Sequence, residues 1–498
     1  MAIVLDAALL ATGCVHVLLA PYTKVEESFN LHATHDVLTF GIAPSALANY
    51  DHFIFPSPVP RTFVGSVVLA YASKPVIWAA THAGLVQSGV DVQVLLRLVL
   101  ATANALGLCA IQRVVSRRFG RLTALFFVLL TISQFQLPFW MGRTLPNMFA
   151  LPLVNMAIAS MLERPPGSTQ PSKRSVERMF ALLTFAGVVF RAEVALLLAP
   201  LCIQYLLLRY VSFSRLVKIG LKSAFVSLAL TVAVDTYFHA SPTPIWPEFA
   251  GIYFNVVQGK SAEWGVEPAH AYFTRYLPKA LMSSVVLWMV GAIADSRVRT
   301  FMLPTLAFLL LISGLGHKEW RFVVYVIPIF NVAAAKGLRW FVSKRKGTIY
   351  GRLLFAAAFG VILLQLGVTS WRTGTSIANY PGGEAMRVFH EHYANTSEPV
   401  SLHICNLAAQ TGASLFTQER GNWRYSKEEG LSVKKLAGSG KFTHLIAEAG
   451  GHIPGAWRTT ETIFGYGGNS FSMPAMGKMR GIASIKRIEQ LVILERRT

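Results

Sequence analysis

The densest chemistry in the sequence lies in residues 21–60, which carry Glu26, Glu27, Asp36 and Asp51 together with His32, His35 and His52. The whole chain has only 25 acidic residues, so four in one loop set that loop apart. A carboxylate there can accept the proton of a hydroxyl that attacks a sugar donor. Cations elsewhere can stabilise a departing phosphate. His317-Lys318-Glu319-Trp320-Arg321 sets three potential cations around one acid, and Arg suits bidentate phosphate contact. Arg143 lies in Trp140-Met141-Gly142-Arg143-Thr144-Leu145-Pro146-Asn147, and Arg191 and Glu193 occupy the tip of a predicted helical hairpin. Each feature has a plainer reading beside it. The first loop also reads as a solvated segment with helix caps, and 317–321 as a snorkelling interfacial anchor with a belt Trp. Arg191 and Glu193 also read as a structural pair. The first loop's His and Asp residues are of metal-binding type, but no ligand spacing and no Asp-x-Asp occurs.

These residues need a scaffold, and the composition says in which solvent. The chain has 498 residues, 53% hydrophobic and 14% charged, with mean hydropathy +0.46. Soluble domains carry about 25% charged residues, so this chain has too little polar surface for water alone. Apolar runs fall near 3–20, 62–82, 91–112, 121–137, 146–162, 178–191, 193–210, 223–240, 279–294, 300–316, 322–336 and 351–370. A spanning helix needs about 20 such residues. The net charge of +21 is gathered between runs, in Arg113 to Arg121, Lys173 to Arg178, Arg209 to Lys222, Arg297 with Arg299, and Lys336 to Arg352. That pattern follows the positive-inside rule rather than nucleic-acid binding. With those patches cytoplasmic, the polar loops near 21–60, 138–146, 191–193, 241–278 and 317–321 face the lumen. The parity works only if 62–82, with Ser73-Lys74-Pro75 inside it, is re-entrant or interfacial. About 11 spans then remain, with a cytoplasmic N-terminus.

Loop 241–278 holds Trp246, Pro247, Glu248, Asn255, Lys260, Trp264, Pro268 and His270. This mixture suits sugar faces, and equally a helix lying at headgroup level. After residue 371 the chain turns polar and Gly-rich. Pro399 to Cys405, Phe442 to Ala447 and Ile488 to Leu494 read as strands and Leu407 to Phe416 as a helix, so residues 372–498 form a small lumenal α/β domain beside the membrane domain 1–371. Asn395-Thr396-Ser397 is a glycosylation sequon. Cys14, Cys109, Cys202 and Cys405 show neither disulfide nor zinc spacing.

The motifs also resemble a known family. Pro21-Tyr22-Thr23-Lys24-Val25-Glu26-Glu27-Ser28-Phe29-Asn30, His35-Asp36, Tyr50-Asp51-His52, Val59-Pro60-Arg61-Thr62-Phe63, Arg143-Thr144-Leu145-Pro146-Asn147, Phe190-Arg191-Ala192-Glu193, His317-Lys318-Glu319 with Arg321-Phe322, and Asn379-Tyr380-Pro381-Gly382-Gly383-Glu384-Ala385 are similar to those of the glycosyltransferase family 22 mannosyltransferases of the GT-C superfamily. The resemblance covers nearly the whole chain. It implies a polytopic α-helical endoplasmic reticulum enzyme with a lumenal site. The implied reaction moves mannose from dolichyl-phosphate-mannose, with inversion, in α-1,6 linkage onto the lipid-linked (dolichyl-diphosphate) oligosaccharide carrying seven mannoses. It implies no cofactor and no metal. Relatives carry Asp-Glu where this chain has Glu26-Glu27, so either carboxylate is the expected base, with Asp36 and Asp51 as alternatives. His317, Lys318, Arg321 and Arg143 are the expected phosphate ligands. Glu319, His35, His52, Arg61, Arg191 and Glu193 are expected to orient them. The rival readings are a sister enzyme of glycosylphosphatidylinositol or other branch assembly, and a transporter, which would show inverted repeats and mid-span polar residues.

Overall fold

A computed structural model of the protein describes residues 1–450, 455–471 and 483–497. The chain forms two compact units, the first made of Met1–Val17, Asp36–Ala72 and Arg97–Ser370, the second of Leu18–His35, Ser73–Leu96 and Trp371–Thr498. The polar C-terminal stretch therefore starts near the expected boundary, but it shares its unit with two earlier segments.

The first unit is helical because its apolar runs are long, and prolines and caps mark where they start. Pro146 opens the helix Pro146–Leu162, and the Ser172 side chain accepts from Ser175 N at the start of Lys173–Phe185. Among the described residues seven helices are long and apolar enough to cross a membrane, Val64–His82 included. The pair Tyr272–Leu281 and Ser284–Ala294, bent by 94°, supplies an eighth if taken as one pass. The expected number of spans is approached only by adding the shorter apolar helices Arg121–Ser133, Pro146–Leu162 and Val194–Leu207.

Two ends of this unit are distinguishable. At one end Arg113 donates to Asp6 at 2.6 Å, Arg178 pairs with Glu163 at 2.7 Å and Arg215 with Glu177 at 2.6 Å. Arg297 donates to the Arg118 carbonyl at 3.0 Å, Lys336 pairs with Asp295 at 2.8 Å, and Arg339 donates to the Phe119 carbonyl. The five basic patches of the sequence therefore gather at one end. At the other end Gly142 is wedged where an added Cβ would strike Val17 and the Arg97 carbonyl. Helices Ala2–Leu19 and Gly89–Phe119 thus run antiparallel.

The helix Val64–His82 is anchored at its start. Phe63 N donates to Asp235 at 2.7 Å, near the C-terminus of Phe213–Phe238. That helix leads to Trp246, which donates to Val188 O at 2.9 Å, at the end that also holds Arg97. Val64–His82 continues unbroken through Pro75 and is long and apolar enough to count as a candidate span. Apolar turns on both sides of Pro75 carry the helix past the one hydrogen bond that proline removes.

The bend at Met282 (φ +51°) leaves irregular backbone deep in the unit, and side chains repair it. Gln134 donates to the Leu281 carbonyl at 2.9 Å and lies 2.9 Å from Asn331 Oδ1, while Gln365 donates to Ser283 at 2.6 Å. Broken helices survive at membrane depth only when such groups are satisfied.

In the second unit, β1 (Ser401–Ile404), β2 (Arg424–Ser426), β3 (His444–Glu448), β4 (Trp457–Phe471) and β5 (Ala483–Arg496) form one mixed sheet in the order β2-β1-β3-β5-β4. Alternation puts Ile446, Leu491 and Ile493 against Phe389 and Trp423 on one face, and Leu445, Val492 and Leu494 against Phe442 and Trp457 on the other. The three strands read from sequence are present. The expected helix at 407–416 is shorter, Asn406–Gln410, because Gly412 at φ +122° turns the chain. Helix Pro381–His392 and strand β4 escaped the sequence reading, β4 because Gly465, Gly467 and Gly468 disguise it. Gly383 crowds the Tyr22 ring, Gly412 crowds the Gly383 backbone and Tyr22 Cβ, and Gln93 Nε2 donates to Pro21 O at 2.7 Å. These contacts hold the Pro21-Tyr22 segment on the Tyr380-Pro381-Gly382-Gly383 motif.

Helices Ser284–Ala294 and Ile327–Ser343 approach closely at Gly291, Ala333 and Gly337, where a Cβ on Gly337 would overlap the Leu287 carbonyl. Small residues four apart permit such contact between membrane helices. Gly337→Leu is expected to lower stability by about 1–3 kcal/mol or more, read by thermal unfolding in detergent. Gly360→Leu, where nothing lies within 4 Å, should leave the melting temperature unchanged.

Candidate active site

The hairpin tip is built by an irregular turn. Helix Lys173–Phe185 runs into a π-turn, Ala186–Phe190, and the chain then extends at Arg191 (ψ 106°) before Val194–Leu207 begins. Such a π-turn offsets the residue that follows it. Arg191 Nε donates to both Glu193 oxygens, at 2.9 and 3.1 Å. Asn147 fixes this pair. Its Nδ2 lies 2.8 Å from Glu193 Oε1, 3.1 Å from the Arg321 carbonyl and 2.9 Å from the Tyr325 hydroxyl. Asn147 is held in turn because Asn104 donates to the Met141 and Met148 carbonyls at 2.9 and 3.0 Å, and Arg97 to the Gly142 carbonyl at 3.0 Å.

Beside the tip lies the 317–321 segment. Arg321 donates to Glu319 Oε1 at 2.5 Å, and His317 Nε2 lies 3.1 Å from the same oxygen. His317 Nδ1 faces the Gly265 carbonyl at 3.1 Å. Both ring nitrogens thus face oxygen acceptors. Lys318 is placed differently from its neighbours. It is buried, and its ammonium donates to the Leu315 and Glu267 carbonyls at 2.5 and 3.1 Å, so it ties two chain segments together. Arg143 is wholly buried over the rings of Phe139 and Trp140, 4.4 and 5.5 Å from their centres. Trp140 packs on Trp320 with centroids 4.6 Å apart. Arg143 therefore underlies the 317–321 segment.

Arg61 is the residue whose place the sequence understated. Its guanidinium is exposed and, among the described residues, makes no hydrogen bond or ion pair. Protein nevertheless encloses it, and that enclosure, with Arg191 and Arg321 nearby, pushes its pKa down to about 10. Glu248 and Glu319 oppose the shift. Burial also works against the charge of Arg191, but Glu193 and Glu248 more than offset it and hold that pKa above its ordinary value. Three arginines from distant parts of the chain thus line one recess, with one of them unmatched. A phosphate would complete this arrangement.

The acids of the first loop divide between the units. Asp36 and Asp51 belong to the first. Asp36 is buried and accepts from Asp51 N at 2.8 Å, which ends one turn and starts the next. His52 lies 3.1 Å from the Phe238 carbonyl, among Tyr50, Phe63 and His239. Burial, with His239 beside it, pushes its pKa down to about 4, so it is neutral and anchors the loop. Glu26, Glu27 and His35 belong to the second unit. Glu27 is fully buried and accepts from Lys24 N at 3.0 Å, whereas Glu26 is exposed. His35 packs edge-on against Phe416 at 4.9 Å. Among the described residues no three His, Cys, Asp or Glu side chains gather as a metal ion would require.

Removing the shared amide tests the hub. Asn147→Ala should cost about 1–3 kcal/mol by leaving buried acceptors unmet. Asn147→Asp should cost more, by opposing Glu193 with a second carboxylate. Thermal melts of both variants in one detergent decide it.

Comparison with known proteins bears on this geometry. Residues 7–418 match the model of the Alg9-like mannosyltransferase family. The chain is 37% identical over 447 residues to the Dol-P-Man:Man(7)GlcNAc(2)-PP-Dol alpha-1,6-mannosyltransferase of Drosophila melanogaster, covering 89% of this chain and 63% of that one. The Arabidopsis thaliana protein of the same name is 35% identical, over 89% of this chain and 86% of its own. The GPI alpha-1,2-mannosyltransferase 3 of Homo sapiens, 27% identical, is matched over only 31% of this chain. In fold the chain is similar to ArnT from Cupriavidus metallidurans bound to undecaprenyl phosphate, with TM-score 0.55, 14% identity, and coverage of 90% and 93% of the two chains. The protein is a multi-pass membrane protein and belongs to the Alg9-like mannosyltransferase family.

Proposed function

We propose that this protein transfers mannose from dolichyl-phosphate-mannose, in α-1,6 linkage, to the dolichyl-diphosphate oligosaccharide that carries seven mannoses. The observation that carries the reading is likeness along 89% of the chain to the fly and plant enzymes whose names state that reaction. The arginine recess suits the donor's phosphate. The endoplasmic reticulum membrane is the site of this step in asparagine-linked glycan assembly.

In this reading the acceptor oxygen attacks the anomeric carbon as the bond from that carbon to the phosphate oxygen breaks. Configuration inverts, and dolichyl phosphate departs. Arg61, Arg321 and the His317 ring take up the developing phosphate charge, with Arg191 held beside them by Glu193. Positive charge that a metal would otherwise bring to the phosphate comes here from guanidinium groups. The acceptor's proton passes to a first-loop carboxylate. Exposure favours Glu26, because Glu27 and Asp36 are buried and already engaged with backbone N–H groups. Glu26→Gln should lower kcat about 10²–10⁴-fold without loss of yield, whereas Glu27→Gln should lose folded protein first. Purified variants, assayed with donor and seven-mannose acceptor, separate the two.

The basic end of the first unit would face the cytoplasm, and the recess, at the opposite end, the lumen. Asn395 is exposed on a turn after helix Pro381–His392, so a lumenal second unit should carry a glycan there. A mobility shift on amidase treatment, lost in Asn395→Gln, is the expected result. In cells lacking the protein, lipid-linked oligosaccharide should stall at seven mannoses. A full-length oligosaccharide with a glycosylphosphatidylinositol defect would establish the sister reading instead.

A further inference from the structure

Glu248 stands apart from the other acids of the recess. Glu193 and Glu319 are each locked to an arginine, at 2.9 and 2.5 Å. Glu248, among the described residues, has no ion pair; its Oε2 accepts only from Ala192 N, at 2.6 Å. Yet it sits in the field of both Arg61 and Arg191. It opens the short helix Pro247–Ile252, whose preceding Trp246 donates to the Val188 carbonyl at 2.9 Å. The side chain is thus pinned at the hairpin tip, within the influence of Arg61, whose guanidinium makes no hydrogen bond or ion pair among the described residues. An acid so placed is a counter-charge to that guanidinium.

We propose that Glu248 acts as an internal anion that competes with the donor's phosphate for the Arg61 and Arg191 field and gives up its charge, by taking a proton, when that phosphate binds. The inference rests on the reading of the recess as the donor phosphate site. The groups that face Glu248 are Arg191 and Glu193 from the hairpin tip, Arg61 from the first loop, and Tyr325 from the segment after Arg321. Burial pushes the carboxyl up to about 7, against the pull of Arg191 and with the repulsion of Glu193. A phosphate anion brought close raises it further, because like charges disfavour each other. Binding and protonation are then linked: donor binding takes up a proton, and affinity for the donor rises as pH falls through about 7. The donor is a phosphodiester, so it does not itself titrate in that range.

The test is the donor KM of the full-length enzyme, separated from kcat, between about pH 5.5 and 8.5, in wild type and Glu248→Gln. Wild-type KM should fall several-fold as pH is lowered through 7. Glu248→Gln, neutral at every pH, should show a lower KM with a shallower pH slope than wild type, with the pH dependence of kcat retained. Glu248→Asp should keep a sloping KM with a displaced midpoint, which a purely structural role would not produce. Equal KM slopes in wild type and Glu248→Gln overturn the proposal, as does a Glu248→Gln enzyme that binds donor more weakly while melting normally. A misfolded Glu248→Gln leaves the Glu248→Asp profile to decide, and an undisplaced midpoint there overturns it. Absence of any mannose transfer by the wild type would instead remove the underlying assignment.

Discussion

One side-chain amide holds the recess together. Asn147 Nδ2 reaches Glu193, the Arg321 carbonyl and Tyr325, and these belong to segments that the chain visits nearly two hundred residues apart. Through Glu193 it orients Arg191, and through the Arg321 backbone it fixes where that guanidinium starts. A buried polar group must find partners or cost free energy. Three partners at once make the position of Asn147 strongly determined. The layer beneath, Asn104 and Arg97 bound to backbone carbonyls, extends the same logic one shell outward.

Electrostatics then explains why the recess is open to an anion. Two of its acids neutralise two arginines, and Glu248 offers only a backbone-bound carboxyl to the third. Arg61 keeps its charge inside an enclosure that penalises it. In the proposed reading a donor phosphate would supply the opposite charge that Arg61 lacks. Lys318 shows the contrast. Its ammonium donates to two backbone carbonyls, which ties two chain segments together.

The membrane imposes the other constraint. Basic residues gather at one end of the first unit and the recess lies at the opposite end, so the antiparallel helices between them set the separation of the two faces. The helix Val64–His82 illustrates how far composition alone reaches. Its length and hydropathy qualify it as a candidate span, and the anchoring of Phe63 to Asp235 fixes where it begins, which no local property of the run could show.

Polytopic helical architecture, the loops that carry chemistry and the cationic motifs were legible in the sequence, because long apolar runs and charge placement are local properties. The three strands of the C-terminal sheet were legible for the same reason, through their alternation. The sequence could not separate Glu26 from Glu27, or Arg321 from Lys318, since like charges on one short segment differ only in which way the fold turns them. Nor could it show that Arg61 stands unmatched or that Glu248 faces it, because an ion's partners come from whatever the chain packs beside it. Composition decided the solvent and the class of chemistry. Which charges meet, and which one is left open for a substrate, was decided by tertiary packing, where burial and partner geometry set the energy of every ionisable group.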